Sequence, residues 1–154
     1  MNEKIVVPLD GSKVGEAALP YVEDLVSKLS PEVKTEVILL QVLSREVAHR
    51  VAGEAYSALH YSEEEMGKSK EKALEYLNSI GDPLRKKGLI VTPRVAMGDA
   101  SEEIVRAAEE IDATLIAMST HGRSGLSRWA FGSVTDKVLR REGRIPIAMV
   151  RAPR

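Results

Sequence analysis

Five stretches of the chain are nearly continuous runs of aliphatic and β-branched residues: KIVVPL (4–9), EVILLQVL (36–43), LIVTPRVA (89–96), ATLIAMS (113–119) and IPIAMVRA (145–152). Strands that are apolar at consecutive rather than alternate positions are covered on both faces. Four of the intervals between them carry helical spacing instead. After the first run, Val14, Ala18, Val22, Leu25, Val26 and Leu29 share a face, with Pro20 as a local irregularity. After the second, SEEE from Ser62 has the spacing of a capping box, and Ala73, Leu74, Leu77, Ile80 and Leu84 form a stripe that ends at Lys86, Lys87 and Gly88. DASE from Asp99 repeats the capping-box spacing and leads into Ile104, Val105, Ala108 and Ile111. A fourth helix opens near Ser133, uses Val134, Val138 and Leu139, and closes at Arg140, Arg141 and Gly143.

Alternating β and α elements with doubly covered strands predict a parallel sheet with helices on both faces, a single doubly wound α/β domain over residues 1–154. Residues 44–61, SREVAHRVAGEAYSALHY, interrupt the rhythm with small and polar residues. They are expected to form a long connection, partly helical and mobile. Periodicity alone leaves two strand orders open. A 3-2-1-4-5 order reverses the winding between the first and fourth strands; a flavodoxin-like 2-1-3-4-5 order reverses it between the first and third and brings Gly98 and Asp99 to the site.

Composition narrows the function classes. A compact chain of 154 residues hides about 70% of the surface its unfolded form exposes, enough for one full core. Lys and Arg number 22 against 23 Asp and Glu, so a net charge of −1 offers no field for a nucleic acid. The chain has no cysteine, which excludes disulfides, thiolate metal sites and thiol nucleophiles. MNEKIVVPLDGS is too short in apolar residues for a signal segment, and no run approaches the length of a membrane span. The expectation is a cytoplasmic protein with neither membrane nor nucleic acid among its partners.

The chemistry concentrates after the fourth strand, in AMSTHGRSGLSRWAFGSV (117–134). In open α/β sheets ligands bind beyond the carboxyl ends of the strands, where the winding reverses. Gly122 and Gly125 admit backbone amides to a ligand, and Gly132 with Ser133 opens a helix whose free N–H groups attract an anion. A phosphate fits, with a hydroxyl from Ser133 and charge from Arg123 and Arg128. The same residues also have structural readings: glycines in turns, Ser133 with Asp136 as a cap, solvated arginines, and Trp129 and Phe131 pinning the loop to the core or to a partner. Asp10, in VPLDGS at the end of the first strand, is open to two readings as well, acceptor for the hydroxyls of a ribose or D-G turn and helix cap. The P-loop, dinucleotide and nucleophile-elbow motifs are all absent, and His49, His60 and His121 lack metal-ligand spacing. His121 borders the phosphate loop, where orienting the turn is its expected role.

Taken together these residues resemble the universal stress protein family. VPLD is residues 7–10, STHG is 119–122, nine residues separate Gly122 from GS at 132–133, VT follows at 134–135, and IPIAMV at 145–150 matches the final strand; GDASEEIV from Gly98 also fits, so the resemblance spans the chain. It departs at Ser119, which stands where the family motif has its first glycine. The resemblance implies the 3-2-1-4-5 order and an adenine nucleotide, ATP, between the ends of the first and fourth strands. Pro8, Leu9, Asp10 and Val42 would line adenine and ribose beside Met118. Gly122, Gly132, Ser133, Val134 and Thr135 would bind the phosphates, with Ser119, His121 and Arg123 alongside. Mg or Mn would ride on those phosphates without a protein metal site, and two copies would pair through the last strand, Ile145 to Val150. The implied function is an ATP-binding stress-response protein, a homodimeric nucleotide-dependent sensor or switch for a protein partner the sequence does not identify. Two alternatives stand beside it. One is a dimeric interaction module that has lost nucleotide binding, which Ser119 favours. The other is a weak ATPase, for which Asp10 and His121 are the only base candidates, so that no catalytic residue is assigned.

Overall fold

A computed structural model describes residues 2–44, 46–51, 54–60, 62–120 and 132–153. In chain order the elements are β1 (Asn2–Pro8), α1 (Lys13–Glu16), α2 (Ala18–Ser27), β2 (Lys34–Leu43), β3 (Glu46–Val51), β4 (Glu54–His60), α3 (Glu63–Lys86), β5 (Ile90–Met97), α4 (Ala100–Glu110), β6 (Leu115–Thr120), α5 (Ser133–Arg140) and β7 (Ile147–Arg151). The five long apolar runs form one parallel sheet in the order β5-β2-β1-β6-β7. Counted by its own strands this is 3-2-1-4-5. The winding reverses between β1 and β6, and the flavodoxin-like order is overturned.

Period-two alternation divides each apolar run between two cores. Ile5, Val7, Leu9, Val37 and Leu39 pack with Ala18 and Val22 of α2 and Leu77 and Leu84 of α3. Val6, Ile38, Leu40, Ile116 and Met118 pack with Ile104, Ala107 and Ala108 of α4 and Val138 of α5 on the opposite face. Among the described residues, no helix is long and apolar enough to cross a membrane.

Local chemistry explains where the elements begin and end. The irregularity at Pro20 is a break: Ala17 separates α1 from α2 and donates to the Val14 carbonyl at 3.1 Å. Pro20 has no N–H to offer the Glu16 carbonyl, and its ring crowds that oxygen, which favours a break just before it. At α3 the expected capping box is present, with Glu65 N–H donating to Ser62 Oγ and Ser62 N–H to Glu65 Oε2. The end of α4 is closed by Asp112 at a φ of +51°, while the Ala113 N–H reaches back to the Ala108 carbonyl at 2.8 Å. That bond takes Ala113 out of the sheet, and the following strand starts at Leu115 rather than at residue 113.

Residues 44–61 differ from expectation. Instead of a partly helical connection they contain an antiparallel pair, β3 with β4, running from Glu46 opposite His60 to Val51 opposite Glu54, with a register shift between His49 and Val51. Val47, His49 and Val51 recur at every second position, a strand period, and Gly53 stands between the two strands in the sequence.

Candidate functional site

At the reversal point β1 and β6 are direct neighbours, Ile5 beside Leu115 and Val6 beside Ile116. In the sequence β1 is followed by α1, and the next described element after β6 is α5. A cavity of about 260 Å³ opens at the reversal point. Its walls are apolar where they meet the core, with Leu40 and Val42 of β2, Met118 of β6 and Ile104 of α4, and polar toward the mouth, with Asp10, Ser12, Ser119, Ser133 and Thr135.

The start of α5 supplies the donors. Gly132 is the N-cap, with φ −53° and ψ 153°, and no side chain caps the helix. The Asp136 N–H closes the first turn on the Gly132 carbonyl at 2.9 Å, so Ser133, Val134 and Thr135 carry the N–H groups that a helix leaves without internal acceptors. The alternative in which Ser133 and Asp136 cap this helix is therefore overturned. Ser133 is its first residue, and Asp136 pairs with Arg140 at 2.8 Å.

Asp10, just beyond the end of β1, lines the same cavity and is held in a turn. Its Oδ1 accepts from Ser12 N–H at 2.9 Å and from Ser12 Oγ at 2.5 Å, and Gly11 adopts a φ of +84° between them. Ser12 Oγ in turn accepts the Gly15 N–H at 3.1 Å and caps α1. The turn reading of Asp10 is thus correct and does not remove it from the site. Both bonds fall on one carboxylate oxygen, while the residue still lines the cavity.

Two further contacts hold this corner. Ser119 Oγ donates to the Gly15 carbonyl at 2.9 Å. Its backbone is unstrained, since Asp112 is the non-glycine residue with positive φ among those described. From α3, the Tyr76 hydroxyl donates to Glu16 Oε1 at 3.1 Å, and Glu16 also pairs with Lys13. Burial first, then the Glu16 carboxylate, push the Tyr76 phenol above its ordinary range and keep it protonated. Asp99 lies apart as the N-cap of α4, accepting from Ser101 Oγ at 2.6 Å and Glu102 N–H at 3.1 Å, which hold its carboxyl below the usual range.

Of the residues expected at a ligand site, Pro8, Leu9, Asp10, Val42, Met118, Ser119, Gly132, Ser133, Val134 and Thr135 line this one cavity. His121, Gly122 and Arg123 lie outside the described residues, as do Gly125, Arg128, Trp129 and Phe131. Sequence reasoning missed Ser12, Val14, Gly15, Leu40, Ala100 and Ile104. Leu40 shares a strand face with Val42, and Ala100 and Ile104 are legible only once the order of strands is known.

A parallel sheet with helices on both faces and a hollow at its reversal point makes the chain a doubly wound α/β domain, a class in which that point is the usual place for a ligand. The family model described as "Universal stress protein family" matches residues 1–151, and the chain belongs to that family. Universal stress protein MJ0577 of Methanocaldococcus jannaschii is 32% identical over 160 residues, covering 98% of this chain and 96% of that protein. The solved structure of MJ0577 superposes with a TM-score of 0.72 at 26% identity over 99% of this chain and 97% of that one. Two more distant structures share the fold. A universal stress protein in complex with cAMP has a TM-score of 0.64 at 19% identity, over 97% of this chain and 96% of its own. A family member from Arabidopsis thaliana with AMP bound has 0.63 at 14%, over 98% and 92%.

Proposed function

We propose that this protein binds an adenine nucleotide, ATP, in the cavity between β1 and β6, and acts in the cytoplasm as a homodimeric, nucleotide-dependent switch. One observation carries the reading: a carboxylate and an uncapped helix N-terminus face the same apolar-floored cavity. The parts match the parts of a nucleotide. A purine fills the apolar wall at Val42 and Met118, Asp10 accepts from the ribose hydroxyls, and phosphates meet the N–H groups of Ser133, Val134 and Thr135. The AMP and cAMP complexes of two structural relatives support an adenine ligand. Among the described residues no group of three His, Asp or Glu is placed to hold a metal ion, so Mg or Mn would be carried by the phosphate oxygens. Dimerisation would use β7, a strand at the edge of the sheet whose outer row of unpaired backbone N–H and C=O groups is open to another strand.

Thermal unfolding of nucleotide-free protein with millimolar Mg-ATP, and with GTP as control, tests the reading. A ligand at a hundred times its dissociation constant stabilises by about 2.7 kcal/mol, a shift of roughly 5 to 10 °C for a domain of this size. The expected result is a shift with ATP that Gly132→Asp removes, since a carboxylate there repels phosphate. No shift with any adenine nucleotide would leave the interaction-module alternative.

A further inference from the structure

The serine that replaces the first motif glycine is built into the opposite wall of the cavity, and its place there assigns it a role. Ser119 Oγ, near the end of β6, donates to the Gly15 carbonyl, 104 residues away in sequence. Gly15 N–H donates to Ser12 Oγ, and the Ser12 hydroxyl and N–H donate to Asp10 Oδ1. These bonds join β6 to the Asp10 carboxylate through α1 without a gap. A serine hydroxyl has one proton to give, so with Ser119 committed to Gly15 it has none for a phosphate. Gly15 also sits directly behind the carboxylate: a Cβ placed on it would lie 2.8 Å from Asp10 Oδ1. A shift of Gly15 would pull on Ser12 through the Gly15 N–H bond, and Ser12 holds the carboxylate.

The segment between has little rigidity of its own. α1 is a four-residue turn of helix, too short to hold its shape unaided, and it is fixed by its Ser12 cap, by Ser119 on Gly15 and by Tyr76 on Glu16. Two donors occupy Asp10 Oδ1, which leaves the second carboxylate oxygen, with two lone pairs, for two neighbouring hydroxyls. That arrangement suits the 2′ and 3′ hydroxyls of a ribose only while the carboxylate keeps its place.

Resting on the nucleotide reading above, we propose that Ser119 is a positioning residue which latches α1 to β6 and thereby sets the selectivity of the site for ribonucleotides over 2′-deoxyribonucleotides. The test is calorimetric titration of wild type, Ser119→Ala and Ser119→Gly with ATP and with 2′-dATP, alongside the unfolding midpoint of each ligand-free protein. Wild type is expected to prefer ATP by about tenfold, the value of one hydrogen bond to a charged acceptor. In both variants ATP, which loses two hydroxyl contacts to Asp10, weakens more than 2′-dATP, which loses only that of its 3′ hydroxyl, so the ratio falls toward one. A ratio unchanged from wild type, or an equal loss for both nucleotides, would overturn the assignment and reduce Ser119 to a structural contact. Should wild type bind neither nucleotide, the nucleotide reading falls and takes this inference with it; binding of ATP without discrimination removes the inference alone. The ratio does not depend on how far a variant is destabilised, and the glycine variant covers a poorly folding alanine variant.

Discussion

Gly15 shows how much a single absent side chain can matter. Its position behind Asp10 leaves a Cβ 2.8 Å from Oδ1, closer than such atoms approach one another. In Gly15→Ala the carboxylate must turn aside, which is easy for a short side chain and damaging for what it binds. We expect ATP affinity to fall about tenfold or more, equivalent to about 1.4 kcal/mol, with a much smaller effect on the unfolding midpoint; titration beside a melting curve separates the two. Asp10, Gly132 and Ser133 stood out in the sequence because their residue types carry chemistry in a known arrangement, and all three line the cavity. The sequence did not reveal Gly15, whose importance depends on a carboxylate five residues earlier folding back through Ser12. Nor could it show that the Ser119 hydroxyl is spent on a carbonyl 104 residues away.

Helices were legible where their ends carry chemistry in the sequence. Ser62 and Asp99 were read as caps from three-residue spacings, and both accept the backbone N–H that the spacing implies. At Asp99 the cap has a pH signature. Its carboxyl is held below the ordinary range first by the Ser101 hydroxyl and then by the Glu102 N–H. A depressed folded-state pKa stabilises the fold above the unfolded value, near about 4, and this contribution is lost as pH falls through the folded value. Melting curves of wild type and Asp99→Ala should therefore differ at pH 6 and draw together as the pH falls below about 4. Boundaries set by longer-range demands were harder to read. The break at Ala17 follows from a proline three residues later, the start of β6 from a left-handed Asp112, and the β3–β4 pair from short strands of mixed composition whose period shows over only a few residues.

The five-stranded sheet lies between two cores, and the cores share its strands. Ile5 and Val7 serve one, Val6 the other. Loss of packing on either face should thus lower one common transition. Leu77 of α3 is fully buried in the core that also holds Val37 and Leu39 of β2 and Val91 of β5, and Leu77→Ala should cost about 2–5 kcal/mol, read as a single cooperative unfolding curve shifted down in denaturant. A curve with two steps would show that the faces unfold separately. That there is a doubly wound sheet was legible from alternating runs; the order of its strands was not, because periodicity fixes which faces are covered and says nothing of which strand lies beside which. The motif resemblance supplied the order.

Having its first strand at the centre sets a schedule for the newborn chain. β1 leaves the ribosome early, yet one of its neighbours includes Leu115, which pairs with Ile5 across more than a hundred residues of sequence. At synthesis rates of 5–20 residues per second, β1 waits roughly 5 to 20 s with one hydrogen-bonding edge unpaired, a window for aggregation or chaperone capture. The cavity is completed later still, when Thr135 has been added and α5 can form. A small molecule held there would be grasped only by a chain that has closed its sheet, so occupancy would certify folding as well as report on supply.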